Sequence, residues 1–257
     1  MVKINFICGG KTGDLLHNLM VVKSICESYN AKGVLYITNN GIYGGDNFHF
    51  DMDKTYYDLE PIIMSQDYIE SFHILTDGKN IENFVNLNQW RWSKLMFKSN
   101  WINLLCDNYQ IEPPTEPWIK SNKIEGFEDT ILIHRSLQRH THNFPWEKIV
   151  NENKCKFITN INSIDEYDSF PFKDKVELLT CETFNEFVQS INSCRFFIGN
   201  MSTPLAISHC IGKPHLGELH SGDEVHYIGD EKYIKDYYYI SSNGDNNLVG
   251  IDKFINL

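Results

Sequence analysis

Val2-Lys3-Ile4-Asn5-Phe6-Ile7-Cys8-Gly9-Gly10-Lys11-Thr12-Gly13-Asp14-Leu15-Leu16-His17-Asn18-Leu19 opens the chain with a change of hydrophobic period. Val2–Ile7 is a short apolar run rich in β-formers, and Gly9-Gly10 ends it. From about Gly13 to Tyr29 the apolar residues Leu15, Leu19, Val22, Cys26 and Tyr29 recur on one helical face, with Leu16 and Met20 beside them. Gly33 then opens a second strand, Val34–Ile37. Strand, helix and strand in so short a span make a βαβ unit, and therefore a parallel sheet at the front of the protein.

Working outward, Thr38–Glu60 is rich in Asn, Gly, Asp and aromatics and reads as a long loop with room for a hairpin. A helix is expected near Pro61–Ile69, a strand near Phe72–Leu75 and a helical segment over Trp92–Tyr109. Ile111–Pro117 holds Pro113, Pro114 and Pro117, which no helix interior or central strand tolerates. It reads as a stiff linker dividing an amino-terminal domain, 1–115, from a carboxyl-terminal one, 116–257. Strand and helix alternation then restarts. Strands are expected at Ile131–His134, Cys155–Thr159, Val176–Leu179 and Phe196–Ile198, and another from Pro214-His215-Leu216. Helices are expected at Trp146–Asn151, Thr183–Cys194 and Pro204–Ile211. Thr183 and Glu186 fit a capping box. The tail from about Asp230 has an aromatic cluster and a short terminal helix, which could pack back on the amino-terminal domain. The fold class is α/β, with two Rossmann-like halves and mainly parallel sheets.

The 257 residues carry 23 Lys+Arg against 34 Asp+Glu, a net charge of −11. That balance disfavours a general nucleic-acid binder, which needs basic surplus to neutralise phosphates. No apolar run reaches the length of a membrane span, and the apolar stretch in the first ten residues is too short for a secretory signal. Seven cysteines in no zinc spacing read as buried, reduced thiols, which suits a reducing compartment, the cytoplasm.

Three constellations carry candidate chemistry. Gly9-Gly10-Lys11-Thr12-Gly13-Asp14 lies where a phosphate-binding turn would sit, but a P-loop requires glycine where Asn5 stands, and the dinucleotide spacing is absent as well. What remains is Asp14, an acid in the first turn of a helix at the strand edge where α/β sheets bind ligands. The second is His134-Arg135-Ser136-Leu137-Gln138-Arg139-His140-Thr141-His142, a knot of cations at a strand end in an acidic chain. A phosphate or diphosphate would offset their mutual repulsion. The third runs from Phe196 through Gly199-Asn200-Met201-Ser202-Thr203-Pro204 to Gly212-Lys213-Pro214. Pro204 suits a first helical position with Thr203 as N-cap. Gly199 would let backbone approach a ligand, and the helix start would offer an anion site. Asp51-Met52-Asp53 matches a three-residue metal-binding pattern of sugar transferases, but it sits in irregular sequence and favours no metal site.

With these pieces placed, the chain resembles the heptosyltransferase-type glycosyltransferases of GT-B architecture. Gly13-Asp14-Leu15-Leu16-His17-Asn18-Leu19 is similar to that family's early signature, and Phe197–Pro214 is similar to its late donor-site signature. The acid that usually follows the late glycine by two residues is replaced by Met201, and the chain is short for the family. The resemblance implies a cleft between two Rossmann-like halves, the first taking the acceptor and the second a nucleotide-diphosphate-sugar. Asp14 would be the general base of a metal-independent, inverting transfer, with Gly13 and His17 on the acceptor side. His134, Arg135, Ser136, Arg139, Asn200, Met201, Ser202 and Thr203 would line the donor site, and Glu218 would hold the nucleotide ribose. The co-substrates would be a nucleotide sugar and a glycan, glycolipid or glycoprotein acceptor. Two alternatives stand beside this one: an inactive nucleotide-sugar-binding partner protein, and another α/β nucleotide enzyme such as a kinase.

Overall fold

The computed structural model describes residues 2–76, 78–141, 144–220, 224–229 and 238–241. The chain divides into two compact units, Met1–Lys120 and Ser121–Leu257.

Unit 1 contains β1 (Val2–Cys8), α1 (Thr12–Ser28), β2 (Ala31–Ile37), α2 (Met52–Met64), β3 (Ile69–Ile74), β4 (Phe84–Asn86) and α3 (Trp101–Tyr109). Its sheet has the order β3-β2-β1-β4, and every neighbouring pair is parallel. The opening βαβ unit forms as the apolar periods require: Leu15, Leu19 and Val22 of α1 are buried, as are Phe6 and Leu35 in the adjoining strands. Gly33 is required by that packing, because a Cβ there would lie 2.9 Å from Val22 Cγ1.

Three expectations change in this unit. The stretch expected to be loop up to Glu60 contains the first nine residues of α2, which Asp51 caps by accepting the Lys54 N–H at 2.8 Å. Pro61 lies inside that helix rather than at its start. β4 is only three residues long, too short to show a period. The expected Trp92–Tyr109 helix is split: a 3-10 turn covers Gln89–Trp92, and α3 begins at Trp101 after the cap of Asn100, which accepts the Asn103 N–H at 2.8 Å.

Chain beyond the prolines still packs into unit 1. The Trp118 indole is buried and donates to the Leu16 carbonyl at 2.9 Å, while Tyr68 donates to the Trp118 carbonyl at 2.7 Å. Lys120 N–H donates to Gln66 Oε1 at 2.8 Å. These bonds carry unit 1 to Lys120.

Unit 2 contains β5 (Ile131–His134), α4 (Trp146–Glu152), β6 (Cys155–Asn160), α5 (Ile164–Asp168), β7 (Glu177–Cys181), α6 (Phe184–Ser193), β8 (Phe196–Asn200), α7 (Thr203–Cys210), β9 (His215–Leu219) and β10 (Tyr238–Ser241). Its sheet has the order β10-β9-β8-β5-β6-β7, again parallel throughout. Ile133, Trp146, Ile149, Phe157, Phe170, Ile198 and Leu216 share one core. Thr183 caps α6 as expected, accepting the Glu186 N–H at 3.1 Å, while Glu186 reaches back to the Glu182 N–H at 2.9 Å. The expected terminal helix lies outside the described residues, as does the aromatic tail apart from β10.

Both sheets reverse direction once. In unit 1 the order runs outward from β1 to β3 and then returns to β4 on the other side of β1; in unit 2 it runs from β5 to β7 and returns to β8 on the other side of β5. The crevice outside the carboxyl ends of two such diverging strands is where open α/β sheets bind ligands.

Candidate functional site

At the unit 1 switch point, Asp14 comes from the first turn of α1 and Arg91 from the 3-10 turn after β4. Arg91 Nη2 lies 2.5 Å from Asp14 Oδ2, and Nη1 lies 2.9 Å from Asp46 Oδ2. In the first pair the Arg91 side chain is 15% exposed and that of Asp14 18%. Burial pushes the Asp14 carboxyl above its ordinary range; Arg91, and behind it Lys11, pull in the opposite direction without cancelling that push. The guanidinium rests 4.4 Å from the Trp90 ring centroid. Gly10 makes room for it, since a Cβ there would lie 2.5 Å from Arg91 Nη2. Gly9 donates its N–H to Asn88 Oδ1 at 3.2 Å, tying the β1 turn to the segment after β4.

His17 does not face a ligand. It is 1% exposed, lies parallel to Trp101 with ring centroids 4.6 Å apart, and donates from Nδ1 to the Gly13 carbonyl at 2.9 Å. It braces the first turn of α1 instead, and Gly13 supplies the accepting carbonyl. The Asp51–Asp53 pair is the start of α2, with Asp51 committed to its cap. Asp53 lines an open groove of about 500 Å3 together with Tyr36, Tyr56, Tyr57, His73 and Lys79. Among the described residues no three His, Cys, Asp or Glu side chains converge as metal ligands.

At the unit 2 switch point the register places His134 beside Gly199, and Asn200 beside Glu218. The basic loop, α7 and the end of β9 therefore share one edge. Glu218 is fully buried and takes four hydrogen bonds. Arg135 gives it two, Nε to Oε2 at 3.0 Å and Nη2 to Oε1 at 2.9 Å. The Thr141 N–H binds Oε1 at 2.8 Å, and the Trp146 indole binds Oε2 at 3.0 Å. Both oxygens are thus occupied, and the expected ribose contact is replaced by an anchor for the basic loop. Arg135 keeps its Nη1 side without a partner among the described residues.

Asn200 is also structural. Its amide accepts the Ser136 N–H at 2.9 Å and donates to Ser136 Oγ at 2.9 Å and to the Gln138 carbonyl at 2.5 Å. Met201 is buried beside it. The expected N-cap shifts by one: Ser202 holds that position, but its hydroxyl donates to the Asn200 carbonyl at 3.2 Å rather than capping, so Thr203 is the first residue of α7. The space beside Gly199 is taken by the fold, because a Cβ would lie 2.7 Å from the Phe197 ring. His134 is buried and donates from Nδ1 to the Ile158 carbonyl at 2.9 Å; burial pushes its pKa down to about 4. It is a neutral core residue and not a cation for a phosphate. Arg139 is exposed, with φ +59°, and His140 donates from Nε2 to the Ser136 carbonyl. His142 lies outside the described residues.

The residue that the sequence reading missed is Arg91. It follows a three-residue strand and is separated from Asp14 by 77 positions, so no local motif marks it.

The structure of the E. coli ADP-heptose LPS heptosyltransferase II superposes with a TM-score of 0.56 at 10% identity, covering 99% of this chain and 98% of that one. The fold is that of the GT-B heptosyltransferases. E. coli heptosyltransferase WaaC with ADP gives a TM-score of 0.55 at 9% identity and 99% coverage of both chains. A family 9 glycosyl transferase from Veillonella parvula gives 0.53 at 11% identity, covering 98% of this chain and 90% of that one. No protein-family model and no curated protein matches the sequence. The likeness thus lies in the GT-B backbone and spans both units. No helix among the described residues is long and apolar enough to cross a membrane.

Proposed function

We propose that this chain is a glycosyltransferase that moves a sugar from a nucleotide-diphosphate-sugar to an acceptor hydroxyl, with inversion, with Asp14 as general base and without a resident metal. The observation that carries the reading is that both switch points of a GT-B fold bear suitable groups, an acid in unit 1 and anion-binding donors in unit 2.

An acceptor hydroxyl gives up its proton as its oxygen attacks the anomeric carbon, and a carboxylate in hydrogen-bond reach takes that proton. Asp14 is partly buried, which makes it a stronger base than an ordinary surface carboxylate. The diphosphate departs from the opposite face of the sugar, which gives inversion. Charge gathers on the leaving oxygens, and the first turn of α7, Ser136, Arg139 and the Nη1 side of Arg135 are the groups proposed to stabilise it. These cationic and dipolar groups do the work for which other sugar transferases use a divalent ion.

WaaC has been solved with ADP and with ADP-2-deoxy-2-fluoro heptose. ADP and ADP-linked sugars therefore head the donor panel, followed by their UDP and GDP counterparts. One of these is expected to raise the melting temperature of the full chain. Asp14→Asn is expected to keep that shift while donor turnover in the presence of EDTA falls by roughly 100-fold or more. A panel without a stabilising nucleotide, or an Asp14→Asn protein with wild-type turnover, ends the reading. Binding without turnover is favoured by one observation, the matching of the Arg135 charge by Glu218. That alternative expects a stabilising nucleotide sugar that Asp14→Asn and wild type both leave intact.

A further inference from the structure

We infer that Asp46 and Arg91 are positioning residues for Asp14: Asp46 holds the guanidinium, the guanidinium caps Oδ2 of Asp14, and Oδ1 is left as the oxygen that takes the proton. The inference rests on the reading of Asp14 as a base.

The geometry is specific. Arg91 is held by Asp46 at one Nη and by the ring of the preceding Trp90 at its face, and it occupies the space left open by Gly10. Asp46 belongs to the turn through Gly44 and Gly45, and Gly45 is seated so closely on Gly9 that a Cβ would lie 2.7 Å from the Gly9 backbone. The segment that carries the holder is thus packed against the turn that leads into the helix of the held acid. Among the described residues, Arg91 is the hydrogen-bond partner of Asp14 through Oδ2, and Oδ1 has none.

The charge count favours the same role. Burial disfavours the ionised form of Asp14, and the Arg91 guanidinium opposes that push. A carboxylate paired with one guanidinium and nothing else would be ionised but neutralised. Asp46 places a second carboxylate on the same guanidinium, so part of the Arg91 charge is matched elsewhere and Asp14 keeps more of its affinity for a proton than it would in a simple pair. The charged or titratable groups facing Asp14 are Lys11 before α1, Cys8 at the end of β1, Arg91 and Asp46.

Asp46 is 60% exposed, so Asp46→Asn changes little in the core. Two explanations of its effect differ in sign. If Asp46 acts on Asp14 only as a distant negative charge, removing it lowers the Asp14 midpoint. If it holds Arg91 in place, removing it frees the guanidinium and raises the midpoint. The test is a carboxyl carbon-13 NMR titration of Asp14 in the full chain, which needs no substrate. We expect Arg91→Met to raise the midpoint by roughly one unit or more, Arg91→Lys to restore part of that, and Asp46→Asn to raise it by less. An Asp46→Asn midpoint that falls or stays put overturns the inference, as does an unchanged midpoint in Arg91→Met. Should Arg91→Met not fold, the sign in Asp46→Asn decides. Failure of the transferase reading looks different: the midpoints move as stated, while Asp14→Asn turns over donor like wild type.

Discussion

Arg135 donates to both oxygens of the buried Glu218 carboxylate, at 3.0 and 2.9 Å. This pair ties the loop after β5 to the end of β9, two strands away across β8. In a sequence cluster that reads as free positive charge, the Arg135 charge is thus already matched within the protein.

Glu218→Gln tests that role. Each Glu218 oxygen accepts from two donors, so an amide in either orientation turns its NH2 toward two N–H groups, one of them from Arg135, and leaves the Arg135 charge unmatched. Removing one partner of a buried ion pair costs about 3–5 kcal/mol. A urea midpoint lowered by a corresponding amount, with the slope unchanged, is the expected result; a variant as stable as wild type would show that solvent already reaches the pair.

The buried His134 and its neighbour Glu166 set a stability window in pH. Nε2 of His134 faces Glu166 Oε2 at 3.5 Å, on the side opposite its bond to Ile158. Burial, and then Asp165, push Glu166 up from 4.5 to about 7, so its contribution to stability is complete below about pH 4.5 and is lost as pH rises through 7. Burial pushes His134 down from 6.5 to about 4, so its contribution is complete above pH 6.5 and is lost as pH falls through 4. Glu166→Gln imitates the protonated acid. It is expected to match wild type at pH 5 and to exceed it by roughly 2 kcal/mol at pH 8, read by chemical denaturation at the two pH values. Equal stability of the two proteins at pH 8 would remove Glu166 from the alkaline limb.

The end of unit 1 makes a prediction about fragments. Trp118 and Lys120 bond to Leu16, Tyr68 and Gln66, all within unit 1. A fragment of residues 1–120 is expected to unfold cooperatively in a calorimeter. A fragment of residues 1–115 lacks the buried indole, and truncating a buried Trp costs about 3–5 kcal/mol, so its transition is expected to be lower and broader. Identical transitions would place the boundary at the prolines.

Legibility in the sequence followed length and period. β1, α1, β2 and the alternation from Ile131 onward are long or regular enough to read, and they place Asp14 and the segment from Gly199 to Thr203 at carboxyl edges. The start of α2 was hidden because Asp51, Asp53 and the preceding Asn and Gly residues have the composition of a loop, while Asp51 serves as a cap. The roles of Glu218 and Asn200 were misread for another reason. A sequence shows that a polar residue ends a strand, but not whether its lone pairs are already taken by the protein. Arg91 lay beyond reach because its partner is brought to it only by the pairing of β4 with β1.

Gly10 joins these threads. As sequence it looks like part of a phosphate turn; in the fold it has φ +108° and borders Arg91. Gly10→Ala places a side chain in the left-handed region, at a cost of about 1–3 kcal/mol, and sets its Cβ 2.5 Å from where Arg91 Nη2 now lies. The guanidinium is the far end of a flexible side chain, so it moves and the backbone stays, which separates Arg91 from Asp14. A double-mutant cycle measures the separation. Beside wild-type Asp14, Gly10→Ala loses both the backbone preference and the ion pair; beside Asp14→Asn, only the former remains to be lost. The destabilisation by Gly10→Ala is therefore expected to be smaller in the Asp14→Asn background, measured by urea denaturation of the four proteins. Equal destabilisation in both backgrounds would mean that Arg91 keeps its hold on Asp14 without the space Gly10 leaves.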